Sequence, residues 1–310
     1  MSPPPFPLAG EAFSLLAAVV WAAAVVLLRL SGERVPPLAL NTFKNALALV
    51  LLGLTLLVAG VSFRQPVPAQ DLLVLIVSGL LGLGVADTLF LASLNRLGAG
   101  RSAVVDCLYS PFMFLCAAVW LKEPLAARIL GALALVVLAV LVAGWEPAPS
   151  GSGRSTPGET GRAQVLVGVL LGALAMLTMS VGIVLAKPVL ERTDAIWATT
   201  VRLTGGAALP ALLALSTRGG RGDLRRAFTP GPAWRITIPA AVVGTYLSML
   251  LWIAGMKFAQ ATVAAILNQT STVFTLLLAT LVLREPLTGR RVLAILLGCG
   301  GALLATLPAA

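Results

Sequence analysis

Ten stretches of about 18 to 23 mostly apolar residues follow one another along the chain, each long enough at 1.5 Å per residue to cross a ~30 Å hydrocarbon core. They fall at approximately 9–30, 38–60, 72–94, 101–121, 126–144, 164–186, 196–215, 234–257, 260–282 and 289–307. Helices of a water-soluble core are shorter and keep a polar face. Composition points the same way, with 58% of the 310 residues hydrophobic, 11% charged and a mean hydropathy of +0.98, far from the values of soluble domains. The expected fold class is an all-α integral membrane protein with ten transmembrane helices. The first run is too long, and its flank MSPPPFPLAG too poor in positive charge, for a cleaved signal, so it is expected to be retained.

The pentamer LKEPL at 121–125 returns as LREPL at 283–287. A shift of 162 residues lays 79–144 on 241–306 without a gap, matching Gly82 with Gly244, Phe112 with Phe274, Glu123 with Glu285 and Arg128 with Arg290. A shift of 158 lays 10–58 on 168–216, matching Glu33 and Arg34 with Glu191 and Arg192, and Lys44 with Arg202. The charged and Gly coincidences, rather than the cheap Leu and Ala matches, mark a duplication. Five passes are an odd number, so the second copy enters the membrane from the other face and the halves form an inverted-topology repeat. The expected units are 1–145 and 164–310. Between them 146–163 is a linker, part of the Gly-, Pro- and Ser-rich GWEPAPSGSGRSTPGETGR.

The net charge of +10 is spread over the connecting loops with no aromatic-basic patch, so no nucleic-acid partner is expected. Histidine is absent, which excludes Ser-His hydrolases and HExxH metalloproteases and disfavours a membrane-embedded enzyme. Cys107, Cys116 and Cys299 lack CxxC spacing and read as packing. No metal or cofactor is expected, and without a GxxxxGK[ST] loop energy should come from an ion gradient or exchange. Glu123 and Glu285 read as carboxylates near helix N-termini, offset by the dipole and by Lys122 and Arg284.

Charges inside a membrane span are costly and face a cavity or a partner, which singles out Lys44, Asp87, Asp106 and Arg202. Counting from span ends places the first three roughly 8 to 11 Å from one membrane face, so Lys44 can pair with Asp87 or Asp106. Helical spacing groups Asn41, Lys44 and Asn45 on one face, Gly84, Asp87 and Thr88 on another, and Ser102, Asp106, Tyr109 and Ser110 on a third. Such a network either binds polar substrate or takes up a proton, or is a static ion pair that fixes packing. In the second copy Asp87 and Asp106 become Met249 and Asn268, leaving Arg202 without a matching acid. Its planar guanidinium then suits an anionic group on a substrate, or a loop acid such as Asp194. Thr199 shares its face, and Ala265, Asn268, Thr272, Thr275 and Ala279 form a small, polar stripe, or a tight packing stripe, on the ninth helix. Pro111, Pro210 and Pro239 are candidate kinks.

Ten spans in two five-helix repeats, each with a Gly-bearing third helix and a fourth ending in WLKEPL or VLREPL, resemble the EamA-type transporters of the drug/metabolite transporter superfamily. The resemblance implies a secondary transporter, with a cavity lined by helices 1 to 4 and 6 to 9, that moves small metabolites including amino acids. The expected partner is a small, polar substrate, anionic or zwitterionic, with proton or exchange coupling at Asp106 or Asp87, and a monomer should suffice. A channel or a non-transporting membrane protein is the rival reading. The protein should lie in the cell membrane, the inner one if the cell is Gram-negative. Loop Lys and Arg favour an outside location for the termini, whereas the resemblance implies cytoplasmic ends; orientation stays open.

Overall fold

The computed structural model describes residues 8–121, 131, 134–135, 137–139, 141–142, 159–190, 192–258, 267–268, 270–285 and 288–306. Seven of its helices are long and apolar enough to span a membrane, and the described residues contain no strand. The first two spans are α1 (Ala9–Gly32) and α2 (Pro37–Val58). The third is α3 (Ala69–Gly79), a π-helical segment (Leu80–Val85) and α4 (Ala86–Leu97) in unbroken succession. The fourth comprises α5 (Ala99–Asp106) and α6 (Tyr109–Leu121). The fifth expected span lies largely outside the described residues.

In the second half come α7 (Glu159–Leu190), α8 (Ala195–Ser216) and a short extra helix, α9 (Arg218–Phe228). The next span is α10 (Trp234–Ala241), a second π segment (Val242–Leu247) and α11 (Ser248–Phe258). The ninth expected span is described from 267 on, as α12 (Ser271–Val282), and the tenth appears as α13 (Gly289–Thr306). Element ends have local causes. Pro37 opens α2, where its missing N–H is harmless. Asp194 accepts the Trp197 amide at 2.9 Å to start α8, and Gly98, at φ +79°, turns the chain between α4 and α5.

Two irregular segments shape the interior. The fourth span, expected over 101–121 with Pro111 a candidate kink, breaks at Cys107–Leu108, whose amides bond three residues back, to Val104 and Val105. Pro111 is the cause we assign, because it has no N–H to return to the Cys107 carbonyl. Pro210, by contrast, sits inside a continuous helix, and Pro239 lies three residues before the second π segment. The π segments themselves start 162 residues apart, the shift that superposes the two copies in sequence. Each turn of π-helix takes in an extra residue and re-aims the side chains beyond it.

Packing across the halves is reciprocal. α1 lies against α11 and α12, while α7, its repeat counterpart, lies against α4 and α6; α2 packs on α8. Glycine permits the closest crossing: a Cβ at Gly79 would land on the Arg202 carbonyl, and one at Gly205 on the Ile76 carbonyl. Backbones in such contact leave no room for a side chain.

Candidate functional site

α2 carries Lys44, whose Nζ donates to Asp87 Oδ2 at 2.5 Å and to Asn45 Oδ1 at 3.1 Å. Both charged side chains are at least nine-tenths buried. Of the two partners the sequence allows, the structure selects Asp87. The amide nitrogens of Asn41 and Asn45, residues grouped with Lys44 as one polar face, turn to main-chain carbonyls and to Thr88. The Asn41 amide nitrogen lies 3.0 Å from the Leu83 and Gly84 carbonyls and 2.8 Å from Thr88 Oγ1. Asn45 reaches the Leu83 carbonyl at 3.1 Å and the Gly206 carbonyl at 3.0 Å. These amides satisfy carbonyls of the π segment and of α8, where an unpaired polar group would be costly. Asn41, expected to contact substrate, is fully buried and off the cavity wall.

Between the halves lies a cavity of about 190 Å³. Lys44, Asp87, Asp106, Tyr109 and Arg202 all reach its wall, as do Asn268 and Thr272 from the ninth span. Trp21, Phe90, Met176 and Trp252 supply much of the apolar remainder. The break after Asp106 lets α5 end at the cavity and α6 restart there with Tyr109. Thr199 does not join them: its hydroxyl donates to the Ala195 carbonyl of its own helix at 2.7 Å, and the residue is buried away from the wall. Ala265 lies outside the described residues.

Arg202 has no acidic partner among the described residues. Its Nε donates to Ser78 Oγ at 2.9 Å, and Ser78 Oγ donates in turn to the Gly182 carbonyl at 2.7 Å. Asp194, the loop acid considered for it, is occupied as the α8 cap. The Asp106 carboxylate likewise has no hydrogen-bond or ion-pair partner among the described residues. Among the described residues, the cavity wall thus carries the Lys44–Asp87 ion pair, the Arg202 guanidinium without an acidic partner, and the Asp106 carboxylate without a hydrogen-bond or ion-pair partner. Ser78 was missed because it stands nine residues before Asp87 across the π segment, where a 3.6-residue period loses phase. Its one sequence signal was a hydroxyl in an apolar run beside Gly79 and Gly82.

Glu285 of the second pentamer does sit at a helix N-terminus, but that of α5 rather than of the helix that follows it. Its carboxylate accepts the Ala99 amide at 2.9 Å and the Gly100 amide at 3.1 Å, and Arg291 Nη1 donates to it at 3.2 Å. Arg291, not the expected Arg284, is the neighbouring cation. Arg284 instead adopts a left-handed φ of 54° in the turn before Glu285. Leu121, the first residue of the other pentamer, ends the span that Ala99 begins. Glu123, Lys122 and Arg128 lie outside the described residues.

Membrane-length helices around a charge-bearing cavity define a multi-pass membrane protein of transporter type. The model of the EamA-like transporter family matches residues 8–145 and again 166–307, and the chain belongs to that family, with two EamA repeats. No curated protein matches it. A solved structure titled only "Crystal structure of protein" is similar in fold, with a TM-score of 0.63 at 21% identity over 96% of each chain.

Proposed function

We propose that this protein is a secondary-active exporter of a small polar metabolite, such as an amino acid, working by alternating access between two oppositely oriented repeats. The observation that carries the reading is Arg202, a guanidinium on the cavity wall held by Ser78 with no acidic partner among the described residues. A carboxylate or phosphate on the substrate would complete its hydrogen bonds bidentately. Asp106, the free carboxylate of the same wall, receives an ammonium group or a coupling proton. The Lys44–Asp87 pair holds the second and third spans together beside the site. Inverted topology is supported by the two pentamers, since Glu285 caps one end of the fourth span and Leu121 closes the other.

The test compares metabolites inside and outside cells overproducing the wild type, Arg202→Ala and Arg202→Lys at matched membrane levels. We expect an anionic or zwitterionic compound to accumulate outside with the wild type and to be retained with Arg202→Ala. Identical profiles for all three proteins would remove the anion assignment. Asp106→Asn should abolish dependence on the proton gradient; unchanged dependence would move coupling elsewhere.

A further inference from the structure

Only Thr217 separates the last residue of α8 from the first of α9, so α9 must lie at the end of the helix bundle, where span meets water. Its sequence, RGGRGDLRRAF, is strongly two-faced. On the inner side Leu224 and the buried Ala227 join the core, the Trp234 indole N–H donates to the Ala227 carbonyl at 2.8 Å, and Phe43 of α2 sits 5.1 Å from the Phe228 ring. On the outer side Arg218, Arg221 and Arg225, at i, i+3 and i+7, share one exposed face. Asp223, the helix's one acid, is taken by Arg226 at 3.3 Å. The three outer guanidinium groups have no acidic partner among the described residues.

Just before this helix, in the last two turns of α8, Leu212, Leu213 and Leu215 are 65%, 51% and 53% exposed. Exposed apolar side chains at the end of a span, followed within two turns of chain by a row of exposed guanidinium groups with no acidic partner among the described residues, match the order of a lipid, acyl chains and then phosphate.

We infer that the outer face of α9 is a binding site for the phosphate headgroups of anionic membrane lipids, whose chains lie along the exposed leucines of α8. Arg forks match phosphate oxygens bidentately, and basic residues at a membrane surface are each drawn to an anionic leaflet. The site is separate from the transport cavity. Because α9 grips Phe43, the neighbour of Lys44, lipid occupancy would also stiffen the turn of α2 that carries the cavity's ion pair.

The full-length protein would be reconstituted in phosphatidylcholine membranes containing a minor fraction of phosphatidylglycerol, re-extracted, and its retained lipid quantified by mass spectrometry. Wild type should retain phosphatidylglycerol in excess of the bulk ratio, and the excess should fall with rising salt. The triple variant Arg218→Gln, Arg221→Gln, Arg225→Gln should lose it by about tenfold. Equal enrichment in wild type and variant overturns the proposal, as does enrichment indifferent to salt, which is read on wild type alone and so survives a variant that fails to fold. If excess inorganic phosphate displaces the lipid completely, the face is a site for soluble anions and the lipid assignment is wrong.

Discussion

Lys44 and Asp87 meet at 2.5 Å across the gap between the second and third spans, each almost wholly withdrawn from solvent. Removing one partner strands the other charge in a low-dielectric setting, a loss of about 3–5 kcal/mol, whereas removing both leaves no orphan. Lys44→Met and Asp87→Asn should therefore each lower the thermal transition of the purified protein sharply, and the double variant should recover much of the loss. A double variant as unstable as the sum of the singles would contradict a paired role.

The Asn41 amide nitrogen meets two carbonyls of the first π segment, Leu83 and Gly84, and the Thr88 hydroxyl of α4. Asn41→Leu keeps volume but removes these bonds, leaving the Leu83 carbonyl to Asn45 alone and the Gly84 carbonyl to Thr88 alone, so a loss of roughly 0.5–1.5 kcal/mol is expected. Thermal unfolding in detergent measures it; a transition within a degree of wild type would show that the π segment needs no such brace.

Gly205 crosses the Ile76 carbonyl too closely for any side chain, while nothing lies within 4 Å of a Cβ at Gly53. Gly205→Ala should force the third and seventh spans apart, at a cost of about 1–3 kcal/mol or more. Gly53→Ala, in an open helical position, should stabilise by roughly 0.5–1 kcal/mol. Size-exclusion profile and thermal transition of the two variants report both outcomes.

Glu285 ties the turn after the ninth span to the first turn of α5. Glu285→Ala removes a charge-assisted cap and leaves Arg291 short of a partner, so it should cost about 1–3 kcal/mol. Glu285→Gln, which still offers an acceptor, should cost less. Equal losses would mean that the charge contributes nothing to the cap.

A carrier and a channel differ in kinetics. Once the metabolite is known, vesicles containing the wild type should give saturable uptake and counterflow against preloaded substrate. Flux linear in concentration with no counterflow would favour a channel.

Much of this was legible beforehand. The depth count put Lys44, Asp87 and Asp106 in one layer, and two of them pair. Repeat matching set Arg202 opposite Lys44 without an acid of its own, and no acid reaches it among the described residues. The grouped face of the third span meets the grouped face of the second: Gly84 and Thr88 contact Asn41 while Asp87 contacts Lys44. Spacing missed Ser78, because a π segment between Leu80 and Val85 adds a residue to the turn that a fixed helical period cannot register. Likewise the third span, expected over 72–94, runs from Ala69 to Leu97, because its ends follow caps and turns rather than hydropathy.

Hydropathy, periodicity and self-similarity are local or linear properties, and so the sequence alone established the membrane-length helices, the duplication and the few charges placed among apolar neighbours. The tertiary structure decided which of two carboxylates holds Lys44, that Ser78 steers Arg202, and that Glu285 caps a helix of the other repeat. Those bonds join residues 43, 124 and 186 positions apart. Partners that distant are chosen by how the packed helices cross, at glycines where backbones touch, and no spacing rule along one chain encodes that choice.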